Sequence, residues 1–349
     1  MSIEVELKLW LTEAMSPSLL SRIQQCWQQL AVKVELAEPA QLLNAYFETP
    51  DQWFRRHDSG LRSRLKKGRF EQTIKLAGQQ QGAAHIRPEY NVPCDSVLPK
   101  LSAFPAHIWP EGTAVDVLQQ QLQEMFRTDF IRHSALLTLA DGTVLEAVLD
   151  QGEVIAGTST QPILEMELEL VSGDARQLFQ LARLLCQQLP LALGFQSKAE
   201  RGYLLAQQQM LSWQQTGPEQ PLSAQLRALL QNLWLQQQSH ALPDELAASF
   251  VVRLKQQWQD LQQALAQQVL AQQQALSPAT VPVATLQALL AEAKAIAAAP
   301  GTGMTLWLLD LSELLLQLPA DSKAHSTQSN DKKSTDKKST DNKSSEEQQ

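Results

Sequence analysis

Like charges repeat at every second residue in several short segments of this chain, with apolar residues between them. Glu4, Glu6 and Lys8 alternate with Ile3, Val5, Leu7 and Leu9. Arg62, Arg64 and Lys66 alternate with Leu61 and Leu65, and Glu71, Thr73 and Lys75 with Ile74 and Leu76. Glu165, Glu167 and Glu169 alternate with Leu164, Met166, Leu168 and Leu170, and Glu146 and Asp150 share a face of a fifth segment. A period of two is the strand period, so each segment has one charged face and one apolar face. An antiparallel sheet with one face in water explains any one of these rows. It does not explain three glutamates, or two arginines and a lysine, lined up together. Such rows repel themselves unless cations sit in one and an anion in the other, and ordinary surfaces mix the signs.

Closing the sheet with its charged rows inward gives a polar tunnel. One wall then offers carboxylate oxygens, hard ligands suited to Mg²⁺ or Mn²⁺. The other offers Arg and Lys, suited to phosphate oxygens. A divalent metal and a polyanion together account for both rows, and the chemistry that follows is metal-assisted attack of water on phosphorus.

The rest of the chain divides by composition. Its 349 residues exceed the roughly 250–300 at which single cores stop growing, so more than one domain is expected. Residues 1–206 alternate strand and helix patterns, with helices expected at Pro17 to Leu30 (Ser16 as N-cap) and Ala175 to Gln188, and a turn at Lys67-Gly68. Residues 207–220, with Gly217-Pro218, read as a linker. Residues 221–318 are rich in Gln, Leu and Ala and read as a small helical domain, with Leu222, Leu226, Leu229, Leu230, Leu233 and Trp234 at helical spacing. Residues 319–349 carry a tandem Asp-Lys-Lys-Ser-Thr repeat and read as disordered. The fold class is therefore α+β: an antiparallel β tunnel with flanking helices, then a small all-α domain and a tail.

Several classes are disfavoured. The net charge of −8 does not suit a nucleic-acid coat. Cys26, Cys94 and Cys186 lie far apart, which disfavours a zinc site or a disulfide framework and suits a reducing cytoplasm. No secretory signal and no membrane span are expected; Met304 to Leu318 is apolar but short, and carries Asp310 and Glu313. Gly78 to Gly82 reads as a flexible loop without a P-loop pattern. His57 and His85 read as ordinary hydrogen-bonding residues, and Cys26, Cys186 and the helical-zone tryptophans as core.

These segments, taken in order, resemble the CYTH, or triphosphate tunnel, superfamily. Glu4-Val5-Glu6-Leu7-Lys8 is similar to its E-x-E-x-K motif. Tyr46-Phe47-Glu48-Thr49-Pro50 resembles its Tyr-Phe-Asp-Thr-Pro segment, with Glu48 in place of Asp. Leu61-Arg62-Ser63-Arg64, Lys75, Arg87-Pro88-Glu89, Arg132, Asp150, the glutamate row and Ser197 to Tyr203 follow in order. The resemblance covers about residues 1–206 and is nearest to bacterial two-domain inorganic triphosphatases.

The resemblance implies an eight-stranded tunnel and metal-dependent hydrolysis of inorganic triphosphate to pyrophosphate and phosphate. It implies metal at Glu4, Glu6, Glu167 and Glu169, with Glu165 an ambiguous fifth. It assigns triphosphate to Lys8, Arg62, Arg64, Lys75, Arg87, Arg132, Lys198 and Arg201, and orientation of the attacking water to Lys8 or Asp150. Thiamine triphosphate hydrolysis, adenylate cyclisation in the same tunnel, and a non-catalytic polyphosphate-binding scaffold are the alternatives. The helical zone resembles a reduced CHAD-type domain, or is an unrelated packing or dimer module through which the chain self-associates. Its basic residues, Arg227, Arg253, Lys255 and Lys294, and its single His240 are few for binding polyphosphate.

Overall fold

The computed structural model describes residues 2–81, 84–210, 212–217, 219–238, most of 256–261 with 252, 253 and 263, and 302–316. The expected disordered tail, Trp258 and the breaks at Pro243 and Ser277 to Pro282 lie outside these residues.

In chain order the elements are β1 (Ser2–Leu11), α1 (Pro17–Leu30), β2 (Lys33–Leu36), β3 (Ala40–Glu48), α2 (Trp53–Arg56), β4 (Gly60–Lys66), β5 (Arg69–Lys75), β6 (Gln79–Gln81) and β7 (Ala84–Cys94). There follow α3 (Val115–Gln121), β8 (Gln123–Thr138), β9 (Val144–Ala156), β10 (Ser159–Ser172), α4 (Arg176–Gln188), β11 (Leu191–Gly194), α5 (Lys198–Ala206), α6 (Leu222–Gln238) and α7 (Thr302–Leu316).

Eight strands close into a ring: β1 pairs β10, then β9, β8, β3, β4, β5 and β7, and β7 returns to β1. Every one of these pairings is antiparallel. Closure removes the free edges, and eight strands leave room inside for side chains and one small ligand. The expected tunnel is therefore present. β6 is a short strand added to β7 where a loop is expected, and β2 and β11 extend the sheet at β8 and β1.

The apolar faces of the strands point outward, under helices. Leu7, Leu9, Met166 and Leu168 are fully buried in one cluster with Ile23 and Trp27 of α1 and Leu178, Phe179 and Leu185 of α4. Helix α1 starts as its sequence predicts: Pro17 opens it, and the Ser16 hydroxyl accepts a hydrogen bond from the Leu19 amide at 3.1 Å. Helix α4 begins at Arg176, one residue after the expected start. The turn between β4 and β5 is also as expected. Lys66 pairs with Arg69, so the loop has two residues, and Lys67 (φ 50°) and Gly68 (φ 74°) are both left-handed. Two left-handed residues are what a right-twisted two-residue hairpin requires.

The described parts of the helical zone pack on the outside of the barrel. Leu226, Leu229, Leu230 and Trp234 of α6 and Trp307, Leu308 and Leu311 of α7 belong to the same buried cluster as Leu7 and Leu9. Arg183 of α4 reaches Asp310 at 2.6 Å and also pairs with Glu313, tying α7 to α4. Among the described residues no helix is long and apolar enough to cross a membrane.

Candidate active site

Residues opposite each other in neighbouring antiparallel strands share a face. The register therefore states what the tunnel contains. Glu6 stands opposite Glu169, Lys8 opposite Glu167 and Trp10 opposite Glu165. Glu169 stands opposite Glu146, and Glu165 opposite Asp150. Asp150 faces Arg132, Tyr46 faces Arg62, and Asn44 faces Arg64. Lys75 faces Glu89, and Glu4 faces Arg87. All the expected site residues on strands thus point into one barrel. Lys198 and Arg201 reach it from α5, whose first turn is set by Ser197 accepting from the Glu200 amide at 3.1 Å. Lys66 and Glu71, at the ends of their rows, are exposed at the rim.

Two acidic groupings offer metal ligands, and their surroundings differ. The oxygens of Asp150, Glu165 and Glu167 lie within 4.8 Å of one another, all buried. Cations already surround them. Arg132 donates to Asp150 at 2.7 and 2.6 Å and to Glu167 at 2.9 Å. Lys198 sits 2.6 Å from Asp150, 2.5 Å from Glu165 and 3.1 Å from Glu167. Lys8 pairs with Glu167, and Arg201 with Glu165 at 3.2 Å. Four cations against three carboxylates leave no charge for a divalent ion to neutralise. Burial pushes the Glu167 carboxyl up, but Lys198, Lys8 and Arg132 outweigh it and hold the group well below the usual carboxylate range.

The second grouping is Glu4, Glu6, Glu146 and Glu169. Here Lys75 pairs with Glu4 at 2.5 Å, and Lys8 lies 2.9 Å from Glu6. Burial would raise the Glu6 carboxyl; Lys8 and Lys75 together outweigh this and hold it at about 2. Glu169 has no ion-pair partner within 4.0 Å among the described residues. Burial first, then repulsion from Glu4, Glu6 and Glu146, pushes its carboxyl up to about 7. Hard oxygen donors with an uncompensated negative charge fit Mg²⁺ or Mn²⁺.

The basic wall is short of charge in the opposite sense. Arg64 makes no ion pair among the described residues; its Nε donates to the Asn44 carbonyl oxygen at 2.7 Å. Burial, then the neighbouring Arg62 and Arg132, pull it down to about 9, still charged at neutral pH. Among the described residues the nearest carboxylate to Arg62 is Glu89, at 3.9 Å, and the buried Arg62 Nε has no hydrogen-bond partner. A buried donor left unmade costs about 1–3 kcal/mol, so an anion here is strongly favoured.

The charge pattern of the sequence did not single out several residues. Glu89 is buried and 3.1 Å from Lys75; it stands in the Arg-Pro-Glu segment, but no row of like charge marks it. Asn44 is a lone amide in an apolar strand, bonded to Thr128 at 2.8 Å. Glu48, the departure from Asp, is structural: its carboxylate accepts from the Thr49, Phe54 and Arg55 amides and from the Tyr203 hydroxyl at 3.0 Å. His57 is exposed and stacks on Trp53, with ring centroids 4.0 Å apart. His85 is buried beside Arg87, its Nδ1 3.4 Å from the guanidinium, and burial pulls its pKa down to about 3.

Comparison with known proteins places this geometry. An inorganic triphosphatase of Haemophilus influenzae is 33% identical over 216 residues, which are 60% of this chain and 56% of the relative. The chain therefore spans about half the length of that curated relative. Among the solved structures that match at lower identity, two illustrate the likeness. One is a Hippeastrum protein described as an adenylyl cyclase candidate with a dominant triphosphatase activity: 19% identity, 60% of this chain and 97% of that one, TM-score 0.41. The other is a Pyrococcus horikoshii protein: 18% identity, 57% of this chain and 97% of that one, TM-score 0.36. The CYTH domain itself matches residues 2–203, from the first glutamate strand into the Lys198 helix, and the chain belongs to the CYTH domain family.

Proposed function

We propose that this chain hydrolyses inorganic triphosphate to pyrophosphate and phosphate in its tunnel, with Mg²⁺ or Mn²⁺. The observation that carries the proposal is the pair of unmatched walls inside one closed barrel: among the described residues Arg64 makes no ion pair and Arg62 only a long one, to Glu89 at 3.9 Å, while Glu169 has no cation within 4.0 Å. A triphosphate with a divalent ion supplies both. The triphosphatase relative supports the reading.

Glu4, Glu6 and Glu169 would hold the metal, with Glu167 at its margin; Glu165, saturated by Lys198 and Arg201, is the weakest candidate. When bound, the ion would acidify a water and neutralise phosphoryl oxygens. Arg62, Arg64 and Lys75 bind the triphosphate along β4 and β5, with Arg87 beside them on β7. Arg132, Lys198 and Arg201 bind from the opposite side. Burial lowers the Lys8 ammonium, but Glu167 and Glu6 raise it further, so it stays protonated. Lys8 therefore orients an oxygen by donating a hydrogen bond and does not remove a proton. Asp150, fully buried between Arg132 and Lys198, aims those two cations and is the second candidate for orienting water.

Glu4→Ala and Glu6→Ala test the assignment. Each is expected to lower kcat by about 100-fold or more, the scale of losing preorganised charge stabilisation. Unchanged turnover in both variants would remove the metal site from this wall.

A further inference from the structure

The described helical zone lies outside the CYTH match, yet one of its side chains ends a chain of contacts that leads into the tunnel. Trp234 of α6 is 2% exposed and meets Trp10 edge-on, with ring centroids 5.2 Å apart and planes at 75°. Trp10 lies on β1, the strand that carries Glu4, Glu6 and Lys8. Its indole is seated against Gly194 of β11, where an added Cβ would come within 2.8 Å of the ring. The Arg201 guanidinium lies over the same ring, 5.4 Å from its centroid. Arg201 also donates to Glu165 at 3.2 Å and to the Pro162 carbonyl. Glu165 in turn holds Lys198, one turn earlier on α5, and Lys198 reaches Asp150 and Glu167. Among the described residues neither indole N–H has a hydrogen-bond partner, so ring shape sets the Trp10–Trp234 contact. Phe195, centroid 5.9 Å from Trp234, closes the other side.

We infer that the helical zone acts on the tunnel through this contact: Trp234 is a positioning residue that fixes Trp10, and Trp10 fixes Arg201 and hence Lys198 on α5. The physical reason is that α5 is only nine residues long and carries two of the cations expected on the triphosphate. So short a helix holds its place by packing, not by its own hydrogen bonds. An aromatic pair held edge-on contributes a directional contact that an aliphatic residue does not reproduce. A cation over an indole, partly desolvated, is sensitive to where that ring lies. The inference rests on the reading of Lys198 and Arg201 as triphosphate ligands, but the positioning itself can be measured without it.

The experiment uses the full chain. Amide hydrogen exchange over residues 198–206 is compared in the wild type, Trp234→Leu and Trp234→Phe, with α1 and α4 as internal references. KM and kcat for inorganic triphosphate are measured in parallel at saturating Mg²⁺. Trp234→Leu is expected to speed exchange in α5 but not in α1 or α4. It is expected to raise KM about fivefold with the Mg²⁺ activation constant unchanged, and Trp234→Phe to restore both. Wild-type exchange and wild-type KM in Trp234→Leu overturn the inference, as does a loss spread equally over α1, α4 and α5. If Trp234→Leu fails to fold, Trp10→Phe probes the same contact from the barrel side with the same expectations. If the wild type does not turn over triphosphate, the functional reading fails, and the exchange data still decide the positioning.

Discussion

Glu169 differs from the rest of the glutamate row in having no cation within ion-pair distance among the described residues, whereas Glu165 and Glu167 each have at least one. Its carboxyl, raised from 4.5 to about 7 by burial and by Glu4, Glu6 and Glu146, makes the protein's own stability report on the site. The folded value lies above the unfolded one, so the folded state holds the proton more tightly. The contribution of Glu169 is fully present below 4.5 and is lost as pH rises through about 7. Thermal unfolding in chelator should show a Tm falling across that window, and Glu169→Gln should flatten the fall. Saturating Mg²⁺ should lift Tm most at the alkaline end, where the site is fully charged. A slope unaffected by Glu169→Gln would mean that the carboxylates do not crowd as the register implies. At this scale the sequence was legible wherever like charges repeat on one face. The charge period did not mark Asn44, Glu89 or Glu48, because a single polar residue in a strand gives no period; Glu48 and Glu89 stood out only through the family resemblance. Nor does the sequence separate Glu165 from Glu169: both belong to one row, and only the approach of Lys198 and Arg201 in space distinguishes them.

At the scale of elements, hairpins are what bring the two walls face to face. The β4–β5 turn sets the register that aligns Arg62 with Thr73 and leaves Arg64 beside Asn44. Gly68→Val places a β-branched side chain at φ 74°. It should cost about 1–2 kcal/mol in chemical denaturation, the penalty for a left-handed residue with a Cβ. The same substitution at the exposed, extended Arg69 should cost far less. The strands that alternate charged and apolar residues, β1, β4, β5, β9 and β10, could be read from the sequence. β8 could not, although it is the longest at 16 residues. Its inward face carries Phe126, Thr128, Phe130 and Arg132, and its outward face Arg127, Asp129, Ile131 and His133, so neither face is uniformly apolar and no period of two emerges. What covers Phe130 from within the barrel is itself charged: Arg132 and Lys198 lie over its ring at 5.6 and 5.1 Å.

At the scale of the whole molecule, closure of eight strands brings the charged faces of five amphipathic ones into a single interior. An open sheet would leave the glutamate row and the arginine row to water, where screening makes each nearly harmless and nearly useless. The barrel places them inside one another's field and raises the energy of both until ligands arrive. The described helices of the C-terminal zone, legible as helices from their leucine spacing but not as partners of the barrel, cover its outer face and reach Trp10. The most direct test of the account is product analysis with the purified full chain and inorganic triphosphate. With Mg²⁺ or Mn²⁺ it predicts equal amounts of pyrophosphate and phosphate, no products in chelator, and much slower release of phosphate from ATP and thiamine triphosphate. Absence of cleavage under these conditions, or cleavage indifferent to the divalent ion, would contradict it.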